Sequence, residues 1–225
     1  MISTNRFGLR EEWIKGFAKM CSEGIEFQAV EIENSLGLGV RQTPAFLTWM
    51  KGLGFIEKEK SKIQPTPPFL KILEEDPFFS SRESWYRLVL RAAHPDFPLE
   101  MVTWYLNNRE TEVTWDSSSF IQKFSQSKAR NLSPSSLENG YCTFQSFFLK
   151  TPVGKDLGFF RGSRRGFSKS PILPSVSFTR KYLLERNEKS SPGKLEENLL
   201  EEEKPGGIIR VFGDQIRSQF FSILE

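Results

Sequence analysis

Residues 36–64 read LGLGVRQTPAFLTWMKGLGFIEKEKSKIQ, and this stretch decides the fold. Gly37-Leu38-Gly39-Val40 is a tight turn, because glycine accepts the positive φ that other residues resist. Thr43-Pro44 reads as the start of a helix, with Thr as N-cap and Pro at the first helical position. Phe46, Leu47, Met50 and Leu53 then form one apolar stripe, which Gly54 closes. Phe55–Lys60 alternates charge in strand fashion, Ser61-Lys62 turns, and Ile63-Gln64 returns as a hairpin partner.

Working outward, Glu11–Cys21 sets Trp13, Phe17 and Met20/Cys21 on one face of an amphipathic helix, with Gly24 after it. Ala29–Leu36 is a short helix carrying Val30, Ile32 and Leu36. Beyond the hairpin, Thr66-Pro67 repeats the cap signal and opens a helix through Phe69, Leu70 and Leu73 to Asp76-Pro77. Helix, helix, turn, helix, charged hairpin, closing helix is the order of a winged helix-turn-helix, placed at residues 1–78.

The remainder, 79–225, reads as mainly helical. Ser80-x-x-Glu83 is a capping box for a helix bearing Trp85, Leu88, Val89 and Ala92, which His94-Pro95 ends. Further helices follow at Leu99–Asn107, after Asp116 or Ser117, and from Ser133-Pro134 through Leu137, Tyr141, Phe144 and Phe148. Thr151–Gly158 and Arg161–Pro174 read as loops. Ile208–Phe212 reads as a strand and Asp214–Leu224 as a last amphipathic helix, an ending that fits a second small winged-helix-like unit. The expected fold is mainly α with small β-wings.

Composition narrows the function. Hydrophobic residues make up 38% and charged residues 26%, a globular balance with no apolar run long enough to span a membrane and no apolar leader near Met1. A soluble, cytoplasmic protein is expected. One histidine, His94, and two cysteines, Cys21 and Cys142, leave little for metal sites or thiol chemistry. Gly37-x-Gly39 lacks the third glycine and preceding strand of a dinucleotide loop, and Gly162–Gly166 lacks the ending of a phosphate loop. No catalytic residue, metal ligand or cofactor is assigned, and the expectation is that the chain is not an enzyme.

The net charge of +3 is unevenly spread. Residues 117–181 hold eleven Lys or Arg against Glu138 and Asp156, whereas 185–204 is acidic. A basic stretch of this kind suits a polyanion, or is a solvated face. In a DNA-binding winged helix, the helix after the turn enters the major groove and the wing meets phosphates. The candidate DNA-binding residues are Arg41, Gln42, Thr43 and Lys51 on that helix, and Lys58, Lys60 and Lys62 on the wing. To these the loop adds Arg161, Arg164, Arg165 and Lys169. The phenylalanine pairs 147-148, 159-160 and 220-221 are candidate stacking positions for single strands, with core as the commoner role.

The order of motifs resembles the domain of unknown function 4007 family (DUF4007). Phe7–Phe17, FGLREEWIKGF, looks like that family's opening signature, and Leu36–Glu57 is similar to its glycine turn, tryptophan helix and following strand. Asp76-Pro77, Trp85, Val102–Tyr105, Ser135–Glu138, Thr151–Gly158 and Pro205–Phe212 fit its later blocks. The resemblance implies an accessory protein of DNA phosphorothioation or phage defence, acting with double-stranded DNA. Its implied partner is a sulfotransfer enzyme resembling phosphoadenosine phosphosulfate reductase (a PAPS-reductase-like protein) or another defence subunit. The family brings no catalytic residues with it. After the glycine turn only Arg41 keeps the family's positive charge, so an adaptor docking such an enzyme stands beside DNA binding.

Overall fold

The computed structural model describes residues 6–108, 110, 113–128, 132–163, 166–170, 173–187, 201–217 and 219. It is mainly helical, with small antiparallel sheets. The first part runs α1 (Glu11–Glu23), β1 (Phe27–Gln28), α2 (Ala29–Leu36), α3 (Gln42–Gly52), β2 (Ile56–Glu59), β3 (Lys62–Pro65) and α4 (Pro67–Glu75). β3 is the central strand, paired antiparallel with β1 through Phe27↔Ile63 and with β2 through Ile56↔Pro65. The two-residue strand β1 is absent from the sequence reading, since so short a segment carries no alternation.

The turn between α2 and α3 forms where the glycines fall. Gly37 takes φ +60, ending α2, and Leu38 N–H returns to Glu33 O at 2.9 Å while its side chain is buried. α3 starts at Gln42 with Arg41 in the cap position, two residues before the expected cap at Thr43 and start at Pro44. Gln42 and Thr43 N–H donate to Gly39 O, and the Thr43 hydroxyl donates to Glu33 Oε2 at 2.9 Å. At the other end of the hairpin the Thr66 hydroxyl donates to Gly54 O at 2.5 Å and fixes where α4 begins.

The second part adds α5 (Arg82–Ala93), α6 (Glu100–Asn107), α7 (Ser117–Gln126), α8 (Pro134–Lys150) and α9 (Pro152–Lys155). A second hairpin follows, β4 (Arg161–Ser163) with β5 (Gly166–Ser168), then α10 (Val176–Asn187), a helical turn at 201–203 and α11 (Ile208–Phe212). The cap of α5 lies at Ser81, one residue past the expected Ser80, because Asp76 reaches over. Its carboxylate accepts from Ser80 Oγ at 3.1 Å, Ser81 N at 2.8 Å and Ser84 Oγ at 2.7 Å. Burial works against the Asp76 charge, but these backbone and hydroxyl donors outweigh it and bring the carboxyl down to about 2.

Ile208–Phe212 is a helix, not the expected strand. Four of its five residues are buried, so the apolar run has no period to read. The buried Glu202 carboxylate accepts Ile208 N–H at 2.8 Å, which supports the helical start. Among the described residues, the helix–strand–helix ending therefore becomes helix–turn–helix, and most of the expected last helix lies outside them.

One hydrophobic core runs through both parts. Phe17, Phe46, Phe55 and Phe69 pack within 5.8 Å of one another in successive pairs. Phe79 carries the contact onward to Trp85 at 5.1 Å. Trp49 is fully buried, stacks on Phe147 at 4.7 Å and donates its indole N–H to Phe7 O. Among the described residues no helix is long and apolar enough to cross a membrane.

Candidate nucleic-acid interface

The face available to DNA on α3 is narrow. Thr43, Ala45, Phe46, Trp49 and Met50 are buried, so the helix spends most of its circumference on the core. Of the candidate base-reading residues, Gln42 is turned inward, its side-chain oxygen accepting Gly39 N–H at 3.1 Å. Thr43 is committed to Glu33, and Thr48 donates to Pro44 O at 2.8 Å. Gln42 and Thr43 hold the turn: Thr43 has no group left for a base edge, and Gln42 keeps only its amide N–H donors for one. Arg41 and Lys51 remain, both exposed at the two ends of α3.

The first hairpin offers two free charges where the sequence suggested three. The Lys62 ammonium lies 2.7 Å from Glu26, which also accepts from Gln64 at 3.1 Å, and Lys62 sits opposite Glu59 in register. The Lys62 and Gln64 bonds hold the Glu26 carboxyl below its ordinary value. Lys58 and Lys60 are exposed and pair with no carboxylate among the described residues; Lys60, at φ +56, occupies the turn. Elsewhere cations are mostly paired, as in Lys15–Glu11, Lys71–Glu185 and Arg87–Glu185. Arg41, Lys51, Lys58 and Lys60 therefore form no ion pair among the described residues, although exposed Glu57 and Glu59 alternate with the two lysines.

The region expected to be a flexible cationic loop is a hairpin tied to the core. Phe167 is buried against Phe160 at 4.4 Å and Phe120 at 5.4 Å, and its backbone exchanges hydrogen bonds with Trp115 at 2.7 and 2.9 Å. Gly162 has φ +132, and a Cβ there would stand 2.2 Å from Gly166 O, so glycine is what lets the strands pair. Arg161 is exposed on β4. Arg164 and Arg165, between the paired Ser163 and Gly166, lie outside the described residues. Lys150 and Lys155, at the ends of α8 and α9, are exposed cations that the sequence reading did not single out.

Lys169 is a correction. It is only 4% exposed, and its ammonium donates to Leu106 O at 2.8 Å, Asn108 O at 3.2 Å and Val211 O at 3.3 Å. These carbonyls end α6 and α11, where the backbone dipoles favour a cation. Burial, reinforced by nearby Arg210, brings the amine down to about 7. Lys169 ties two helix ends together and is shut off from any phosphate.

The phenylalanine pairs at 147-148 and 159-160 are likewise core, at most 3% exposed, while 220 and 221 lie outside the described residues. Burial pushes the Cys21 thiol up to about 12, which leaves it protonated and unreactive at neutral pH. Among the described residues, no three His, Cys, Asp or Glu side chains are grouped so as to hold a metal ion.

Comparison with known protein families finds no match, and no curated protein matches the chain. Two solved structures share its fold. One is an SspB crystal structure, at 14% identity and TM-score 0.64; the other is a magnesium ion-bound SspB crystal structure, at 14% identity and TM-score 0.65. Each alignment covers 99% of this chain and 76% of the SspB chain.

Proposed function

We propose that this chain, which shares the fold of SspB, is a non-catalytic DNA-binding accessory protein of a bacterial DNA-phosphorothioation or anti-phage defence system. Its first 78 residues act as a winged helix-turn-helix, with α3 after the turn and β2–β3 as the wing. The order α1-β1-α2-α3-β2-β3 and the central position of β3 support that reading. The resemblance to DUF4007 supplies the biological setting, including the cytoplasm as the place of action.

The observation that carries the proposal is the run of unpaired charge at Arg41, Lys51, Lys58 and Lys60. Exposed Glu57 and Glu59 offset part of this charge locally, and the four cations stay without an ion pair, open to an anion such as phosphate. With Gln42 and Thr43 committed to the turn, the contacts available are mainly to phosphates, which position a protein without reading sequence. Arg161, exposed on β4, is a further cation, with Arg164 and Arg165 next to it in sequence.

The test is duplex DNA binding over a salt series, with and without phosphorothioate linkages, using Lys58/Lys60→Ala, Arg41/Lys51→Ala and Arg161/Arg164/Arg165→Ala variants. Each phosphate contact removed lowers the slope of log K against log salt by about 0.9. Absence of binding at about 50 mM salt, where phosphate contacts are strong, overturns the proposal.

A second reading rests on Val40, which is 80% exposed in the turn before α3, with exposed Pro44 close by. An apolar tip of this kind suits an adaptor docking a PAPS-reductase-like protein or other defence subunit. Trp49, being wholly buried, plays no part in it. Loss of such a complex in Val40→Asp, with DNA binding intact, would favour the adaptor.

A further inference from the structure

α10 is held to the body of the protein along one side. Phe178 packs on Tyr86 of α5 at 5.2 Å, the Thr179 hydroxyl donates to Gln219 at 2.8 Å, and Leu183 is buried. Lys181 pairs with Glu75 at 2.7 Å, and Glu185 pairs with Arg87 at 2.7 Å and Lys71 at 3.4 Å. The pairs to Glu75 and Lys71 run α4 antiparallel to α10 and fix the rotation of α10 about its axis. The turn that follows α4 therefore lies toward the start of α10, and it carries Phe78, an exposed ring.

What this leaves outward is Val176, Arg180 and Leu184, spaced four residues apart and so stacked in a single ridge. Val176 and Leu184 are exposed by half or more, as is Leu173 just before the helix. Apolar residues scattered over a surface are ordinary, but two on one ridge with a third beside its start make a patch. The charge on this ridge is Arg180, which is exposed and forms no ion pair among the described residues. Its neighbours one helical turn away, Val176, Ser177, Leu183 and Leu184, bring no carboxylate to it.

We propose that this ridge docks an amphipathic helix of a partner protein, which sets an acidic side chain against Arg180 and apolar side chains against Val176 and Leu184. A ridge of residues four apart fits the groove between such rows on a second helix, so the occupant is helical. Covering the ridge takes Arg180 out of water, and a cation so covered needs a carboxylate opposite it. A wholly apolar partner face lacks one. A nucleic-acid backbone would pair with Arg180 but leave Val176 and Leu184 uncovered. A second copy of this chain fits no better. In a two-fold pair, whether the helices run parallel or antiparallel about the middle of the ridge, Arg180 meets the same arginine of the other copy. α10 belongs to neither hairpin nor to the α2–α3 turn, so the inference stands apart from both functional readings above.

The test uses the full chain and a fluorescein-labelled peptide of about 18 residues, long enough to hold a helix. The peptide bears Leu, Glu and Leu at i, i+4 and i+8 on an Ala and Gln background, and a twin carries Lys in place of Glu. Fluorescence anisotropy is expected to give a Kd below about 100 µM for the Glu peptide and at least about tenfold weaker binding for the Lys peptide. Arg180→Glu reverses that preference, which a merely apolar face would not do. Val176→Asp and Leu184→Asp each weaken the Glu peptide by at least about tenfold. All three side chains lie at the surface, so the variants keep their fold, which near-UV circular dichroism checks. No binding at about 1 mM, equal binding of the two peptides, or binding untouched by the variants overturns the proposal. Sedimentation of the chain alone is expected to show a monomer; a dimer that Leu184→Asp dissolves gives the face to a second copy and overturns it as well.

Discussion

Burial of Lys169 predicts an unusual dependence of stability on pH. Its amine sits near 7 in the folded protein instead of the ordinary 10.5. Between these two values the unfolded chain binds one more proton than the folded one, so stability rises with pH. A proton held at 10.5 when unfolded and at about 7 when folded contributes about 2 kcal/mol of added stability from pH 7 to 9. Below pH 7 both states are protonated and the dependence vanishes. Lys169→Met keeps the length of the side chain and removes the titrating group. Urea unfolding followed by tryptophan fluorescence at pH 7, 8 and 9 measures both proteins. The wild type is expected to gain about 2 kcal/mol over that range relative to the variant. Parallel pH profiles, within about 0.5 kcal/mol, refute the reasoning, for they would mean that Lys169 keeps its proton through contact with water or an acid. The absolute effect of Lys169→Met at pH 7 is a poor test. Removal of a buried charge and loss of donors to three carbonyls act in opposite directions.

Asp76→Asn replaces an acceptor for Ser81 N–H and Ser84 Oγ with a donor, and is expected to destabilise by about 2 kcal/mol at pH 7. Because the wild-type carboxyl is depressed to about 2, its contribution is complete above about pH 4 and fades as pH falls toward 2. Acid titration of the unfolding midpoint in both proteins checks this. Arg87→Ala removes a bidentate pair to Glu185, at 2.7 and 3.0 Å, from a side chain only 14% exposed. Denaturant unfolding should show a loss of about 1 to 3 kcal/mol, more than an exposed pair is worth. Gly162→Ala sets a methyl against Gly166 O and should open the second hairpin, seen as faster amide exchange in β4 and β5. Trp49→Ala should cost about 3 to 5 kcal/mol, as a core truncation does; a loss under about 1 kcal/mol would return Trp49 to the surface.

What the sequence made legible was whatever rests on local rules. Asp116 caps α7 through Ser119 N–H at 2.8 Å, and Ser133 caps α8 with Pro134 behind it, as the residue types suggested. Gly37 ends α2 because positive φ is a property of one residue and not of its surroundings. Errors gathered where partners are distant. Ser81 displaced Ser80 as a cap because Asp76, from the preceding turn, takes the Ser80 hydroxyl and the Ser81 N–H, leaving the Ser81 hydroxyl to accept from Ser84 N. Ile208–Phe212 is helical because packing on all sides leaves a bare apolar run, to which helix and strand are equally open.

The candidate site divides along the same line. Arg41, Lys51, Lys58 and Lys60 stay exposed and form no ion pair among the described residues, with Glu57 and Glu59 beside the two lysines, and a reading of residue types is enough to find them. Gln42 and Thr43 were drawn into the turn, a role the general habit of such side chains of bonding local backbone already suggested. Lys169 had a fainter signal. In a strand, residues two apart share a face, so the buried Phe167 points Lys169 inward as well. A lysine is seldom buried without a partner, and only the convergence of two helix ends, from residues 106–108 and 211, supplies one here.

That same convergence bears on how the chain would meet DNA. Removing Lys169, Lys62 and Thr43 from the candidate set, with Gln42 held by its side-chain oxygen, leaves mainly cations at segment ends and hairpins. Four contacts of that kind give a salt slope near −4, enough for attachment that weakens steeply as salt rises. Discrimination between base pairs needs bidentate donors and acceptors in the major groove, each worth about 1 to 3 kcal/mol, and α3 has only Arg41 and the Gln42 amide N–H groups to give. On the proposed DNA-binding reading, contacts made mainly to phosphates give affinity for the duplex with little selectivity among sequences. Two duplexes of unrelated sequence and equal length should accordingly bind this chain within about threefold of each other at one salt concentration. A difference beyond about thirtyfold would mean that α3 rearranges on binding to free Gln42 or Thr43 from the turn, against the hydrogen bonds that now hold them.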